Sequence, residues 1–181
     1  MTPEQQATLK ADIIAKSQSG QPLETLVALN DWQNVAAYYN TENSPTNVWR
    51  PDAPKSKVFG AIVWKNLTQV DAPDSTAIYT NRVLASQSRQ MNLDILLPPT
   101  AETLPGDQAG FRQGLQDALT DIPAGAGGAL LAGGWGAVQN VLRRPGTPFE
   151  VMFSTVDGNA SKSDVYGQRL DGNACMVAYL S

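Results

Sequence analysis

Apolar positions recur near the helical period through most of this chain, and they predict a mainly helical protein. The opening reads as a helix start. Thr2 stands as N-cap, Pro3 at the first helical position and Gln5 three residues after the cap, with Leu9, Ile13 and Ile14 on one face. The helix is expected over about residues 3 to 17 and ends in Ser17-Gln18-Ser19-Gly20. Pro22 restarts a second helix carrying Leu23, Leu26, Val27, Asn30, Asn34 and the neighbourhood of Tyr38, so the two form a helical hairpin. Residues 40 to 54 hold three prolines and no period, which predicts a loop, anchored by Trp49.

Three more helices follow from the same reasoning. Val58, Ile62, Val63 and Leu67 form a stripe over 55 to 69; Ile78, Tyr79, Val83, Leu84, Met91 and Ile95 form one over 74 to 96, stopped by Pro98-Pro99. From Asp107 onward Phe111, Leu115, Leu119 and Ile122 make the cleanest stripe, with Arg112, Gln113, Gln116 and Asp117 expected outside. Residues 122 to 142 carry no charge and include Gly125, Gly127, Gly128, Gly133, Gly134 and Gly136. A phosphate loop fails there, because no Gly-Lys-Ser/Thr follows and the glycine spacing is wrong. A membrane span has about the right length, but Gly and Ala contribute little to insertion and Pro123 interrupts it. The favoured reading is a turn over 124 to 128, then a helix whose small face, Ala129, Ala132, Gly133, Gly136 and Ala137, lets another backbone approach.

Thr147-Pro148-Phe149-Glu150 repeats the cap signature, and Phe149, Met152, Phe153 and Val156 extend a short helix to 156, closed by Asp157-Gly158-Asn159. Val165 to Leu180, with Asp171-Gly172-Asn173 at its centre, reads as a β-hairpin. The expected architecture is a helical bundle of five to six helices over residues 1–144, with a short helix and a small C-terminal β-hairpin over 145–181. A lone hairpin is marginal in water, so it must lie on the body or pair its edge with another chain.

Composition narrows the chemistry. The 181 residues include no histidine and one cysteine, which removes His-based acid/base catalysis, Cys/His zinc sites and intramolecular disulfides. Only 17% of residues are charged, the net charge is −4, and Lys and Arg are scattered apart from Arg143-Arg144. That distribution gives no basic footprint for nucleic acid. The first twenty residues hold Glu4, Lys10, Asp12 and Lys16 and no apolar run, so no secretory signal is expected and the chain is made in the cytoplasm.

Specific sites fare no better. Asp157, Asn159 and Ser161 alternate as in a calcium loop, but Lys162 stands where that loop needs glycine and Gln168 where it needs glutamate. Carboxylate pairs such as Asp71 with Asp74 and Asp117 with Asp121 read as exposed charges rather than an acid/base pair. Cys175 reads as a packed residue, and Trp32, Trp49, Trp64 and Trp135 as anchors. No catalytic, cofactor-binding or metal-ligating residue is nominated, and no cofactor is expected.

The run Met1-Thr2-Pro3-Glu4-Gln5-Gln6-Ala7-Thr8-Leu9-Lys10-Ala11-Asp12-Ile13, with Ala36-Ala37-Tyr38-Tyr39-Asn40, Ser44-Pro45 and Val48-Trp49-Arg50, resembles a family of small virion proteins of tailed bacteriophages. Phe111 to Leu119 and Gly125 to Gly128 are similar to the same family, and the resemblance spans most of residues 1 to 144. It departs at Arg143-Arg144-Pro145-Gly146-Thr147-Pro148. The resemblance implies a non-enzymatic structural protein of the virion, a head-to-tail adaptor or tail component. The expected partners are copies of itself in a ring and the portal and tail proteins, with no membrane and no nucleic-acid sequence recognised. The alternative is a capsid decoration or tail-fibre attachment protein.

Overall fold

The computed structural model describes residues 1–66, 90–120 and 129–181. It is a mixed α/β protein, 53% helical, with nine helices among the described residues, a four-strand mixed sheet and a two-strand sheet. That is more β structure than one small hairpin. The chain forms two compact units, Met1–Val48 with Pro145–Ser181, and Trp49–Arg144.

In the first unit, α1 (Pro3–Lys16) begins with the expected capping box: the Thr2 side chain accepts from Gln5 N–H, and Gln5 accepts from Thr2 N–H. The second predicted helix is two, α2 (Glu24–Ala28) and α3 (Trp32–Asn40). Asn30 turns into the left-handed region at φ +56°, and the Asp31 carboxylate then caps α3 by accepting from Asn34 N–H. The apolar period ran unbroken across this corner, so periodicity could not show it.

The loop expected at 40 to 54 contains strands β1 (Asn47–Trp49) and β2 (Ala53–Pro54). Near the C-terminus, α8 (Pro148–Met152) has the predicted Thr147–Glu150 capping box but ends early. The chain turns into β5 (Ser154–Asp157) and β6 (Ala160–Ser163), an antiparallel hairpin with Gly158 at φ +70° in its turn. Asp157-Gly158-Asn159, expected to end a helix, is that hairpin's turn. In the segment expected to be a hairpin, residues 165 to 170 form a turn and irregular chain, and the rest is helix α9 (Gly172–Leu180), with the Asp171 carboxylate accepting from Ala174 N–H as N-cap. Asp-Gly serves a turn and a helix start alike, and an all-apolar run cannot separate period 2 from period 3.6.

The sheet runs β4-β1-β6-β5, where β4 is Arg143–Pro145; β1 joins β6 in parallel at Val48 and Ser161. The core of this unit gathers Leu9, Ile13, Leu23, Val35, Ala36, Tyr39, Phe149, Val165, Leu170, Cys175 and Ala178. Each large aliphatic side chain buried there contributes about 1.5–3 kcal/mol. Two polar devices close it. Asn40 donates to Leu170 C=O (2.7 Å) and accepts from Leu170 N–H (2.9 Å), holding a segment 130 residues away as a strand neighbour would. Glu150, 1% exposed, accepts from Thr147 N–H (3.0 Å) and from Gly167 N–H (2.8 Å), so its buried charge is hydrogen-bonded.

In the second unit, β2 pairs antiparallel with β3 (Thr103–Leu104), and α4 (Lys55–Ala61) leads to a 3-10 turn at Trp64–Asn66. The helix expected at 55 to 69 therefore stops at Ala61. Ile62 bridges to Leu131, flanked by hydrogen bonds from Val63 N–H to Leu130 and from Ala132 N–H to Ala61. Of the helix expected at 74 to 96, residues 90–96 are helical (α5), and the rest lie outside the described residues. The cleanest stripe forms α6 (Ala109–Thr120), with Leu115 and Leu119 buried as expected. Ile122 and the turn at 124 to 128 lie outside the described residues.

Arg112, expected outside, is buried: its guanidinium stacks 4.1 Å from the Trp49 ring centroid and donates to Gly106 C=O (2.9 Å). Gly106 is required there, since a Cβ would sit 2.7 Å from Arg50 O. Helix α7 (Gly134–Leu142) buries Val138 and Leu142. Ala132, Gly133 and Gly136 are exposed, and among the described residues a Cβ on Gly136 would meet nothing and one on Gly133 only the Ala137 side chain, so no neighbouring backbone among them approaches the small face.

Candidate functional site

An open cleft of about 460 Å³ in the first unit is lined by Asp12 and Lys16 of α1, Tyr38 of α3, Asn43, Ser44 and Pro45 of the following loop, and Pro148, Val151 and Met152 of α8. Its floor begins with helical spacing. Asp12 and Lys16 lie one turn apart and pair at 2.6 Å. Tyr39, whose ring is buried in the core, donates its hydroxyl to the same oxygen, Asp12 Oδ2, also at 2.6 Å. Lys16 Nζ further lies 5.5 Å from the Tyr38 ring centroid and 5.4 Å from that of Tyr39.

This arrangement keeps the Tyr39 phenol protonated. Burial, then the hydrogen bond to Asp12 and the charge of that carboxylate, push the Tyr39 phenol well above the ordinary phenol range. It stays a hydrogen-bond donor rather than becoming a phenolate nucleophile. Asp12 is balanced by Lys16, so the pair has no net charge while keeping separated polar ends. Ser44 Oγ accepts from Thr46 N–H (3.2 Å) and helps shape the loop. The residues that α8 adds to the lining, Pro148, Val151 and Met152, are apolar. The cleft thus combines apolar side chains with a few polar groups held by hydrogen bonds.

The residues weighed from sequence lie elsewhere. Asp157 and Asn159 flank the β5–β6 turn, and Ser161 is buried in β6. Asp117 is on α6, while Asp71, Asp74 and Asp121 lie outside the described residues. No group of three or more His, Cys, Asp or Glu that could hold a metal ion occurs among the described residues. Cys175 is fully buried in α9 rather than in a strand, and burial followed by the Asp171 charge pushes its thiol up to about 11. Trp49 is a buried anchor; Trp32 is half-buried against Tyr179, and Trp64 is 44% exposed beside Phe59. No helix among the described residues is long and apolar enough to cross a membrane.

Sequence reasoning did not single out the cleft. Its one legible signal was the i, i+4 spacing of Asp12 and Lys16, which any solvated helix face can show. Compared with known proteins, the chain matches no family model, no curated protein and no solved structure.

Proposed function

We propose that this chain is a non-enzymatic structural protein of a tailed-phage virion, one copy in a ring at the head-to-tail junction or tail, contacting portal and tail proteins. The phage reading rests on the resemblance over residues 1 to 144. The assembly reading rests on one observation, the open outer edge of β5. The bond from Asp164 N–H to Phe153 C=O (2.9 Å) sets the antiparallel alternation. In that alternation Thr155 and Asp157 turn their backbone groups to β6, while Ser154 and Val156 turn theirs outward. Val156 is 80% exposed, and among the described residues no strand lies beyond β5. An unpaired edge with an exposed β-branched side chain is a template for strand addition by a neighbour. The edge role expected of residues 165 to 180 thus passes to residues 154 to 157.

The decisive experiment counts this chain in purified particles by quantitative mass spectrometry, beside the portal and major capsid proteins. A count equal to the portal's or a small multiple supports the adaptor. A count in the hundreds means capsid decoration, and absence from the particle overturns the reading. Val156→Lys, which leaves the hairpin's internal bonds in place, should sharply reduce incorporation; normal incorporation removes β5 as the contact.

A further inference from the structure

We infer that the cleft between α1, α3 and α8 is a binding site for a neutral saccharide ring, independent of whether the chain assembles into a particle. The argument starts from which polar atoms are occupied. Lys16 and Tyr39 both donate to Asp12 Oδ2. Asp12 Oδ1, the Tyr38 hydroxyl and the Asn43 side-chain amide take no partner among the described residues. Lys16 uses one ammonium hydrogen on Asp12 and keeps the others. The cleft therefore offers a carboxylate acceptor, ammonium donors, and a phenol and an amide that can each donate and accept.

Charge then selects among ligands. An anionic ligand meets the Asp12 carboxylate, and a cationic one meets Lys16, so neither gains the pair's attraction without its repulsion. A peptide strand needs a row of backbone donors and acceptors, whereas these walls are helix side chains and a short loop. A saccharide supplies closely spaced hydroxyls that both donate and accept. Its C–H faces can cover the Tyr38 ring and the wall of Pro148, Val151 and Met152. The cleft volume, about 460 Å³, falls within the range of about 300–1,000 Å³ usual for small-ligand sites.

The test is a ¹⁵N–¹H NMR titration of the full chain with methyl glucoside, methyl galactoside and N-acetylglucosamine, each separately. Saturable shifts confined to Tyr38, Asn43, Ser44, Val151 and Met152 are expected with at least one of them. Asn43→Ala should weaken that binding by about fivefold to tenfold, the loss of one hydrogen bond. Asn43 is exposed and its side chain makes no hydrogen bond among the described residues, so the variant's remaining spectrum should be unchanged. Absence of saturable shifts with all three sugars overturns the inference. So does binding that Asn43→Ala leaves intact, or saturable shifts produced by a Gly-Pro-Pro peptide and by none of the sugars.

Discussion

Four of the five helices in one unit begin with a side-chain cap, α2 at Leu23 being the exception, while α4 and α7 of the other begin without one. In the unit of residues 1–48 and 145–181, α1, α3, α8 and α9 each begin with a side-chain cap, from Thr2, Asp31, Thr147 and Asp171. In the unit of residues 49–144, α4 begins at Pro54 and α7 at Gly133, and neither residue supplies a capping hydrogen bond. The first unit is thus locally encoded but assembled from distant pieces of chain. The second is continuous in sequence, and α4 and α7 start in it without a side-chain cap, while Arg112 of α6 stacks on Trp49. Strong local signals and short-range assembly need not occur together.

The largest test of this contrast removes residues 145–181. Phe149, Val165, Leu170, Cys175 and Ala178 leave the first core with them, so α1 to α3 should lose amide-exchange protection while 49–144 retains it. Retained protection in α1 and α3 would mean the first unit does not need its C-terminal half. Next, Leu9→Ala and Leu115→Ala should each cost about 2–5 kcal/mol, because both side chains are fully buried. Hydrogen exchange should show each loss concentrated in its own unit; equal loss in both would merge them into one cooperative body.

Smaller effects sharpen the picture. Asn40→Ala removes both bonds to Leu170 and leaves its backbone groups short of partners, at about 1–3 kcal/mol; Asp171→Ala should cost about 1 kcal/mol through the lost cap. Chemical denaturation of each variant checks the order. A pH slope is confined to the alkaline range. The Cys175 thiol ionises at 9.0 in the unfolded chain and near 11 in the folded one. Between those values the unfolded chain has released a proton the folded chain keeps, so stability falls as pH rises through that window. Tyr39, starting from 10.0, adds to the fall above that pH. Cys175→Ala should flatten the slope between pH 9 and 10, which denaturation midpoints across pH would show.

What could be read in the sequence was what a few neighbouring residues decide. Thr2 with Gln5 and Thr147 with Glu150 were legible because a capping box lies within four residues. The stripe of α6 was legible because Leu115 and Leu119 repeat at helical spacing, yet Arg112 was misplaced, since its partner Trp49 lies far back in the chain. Asp171-Gly172 misled because its signal is shared by hairpins and helix starts. The strand β1 was invisible in a proline-rich loop, as its partner β6 comes more than a hundred residues later. The cleft was hidden for the same reason: Asp12 and Lys16 are neighbours in sequence, but Tyr39, Val151 and Met152 reach them only through the folded core.

The Asn40–Leu170 clamp has a consequence for biosynthesis. A ribosome adding about 5–20 residues per second has released α1 to α3 long before Leu170 exists. For several seconds those helices are out of the tunnel with their core incomplete, while the continuous stretch 49–144 can already close. The order of synthesis makes the middle of the chain the first part able to finish folding. The beginning is then completed by the end, and a chaperone acting on the nascent protein would find its substrate in residues 1–48.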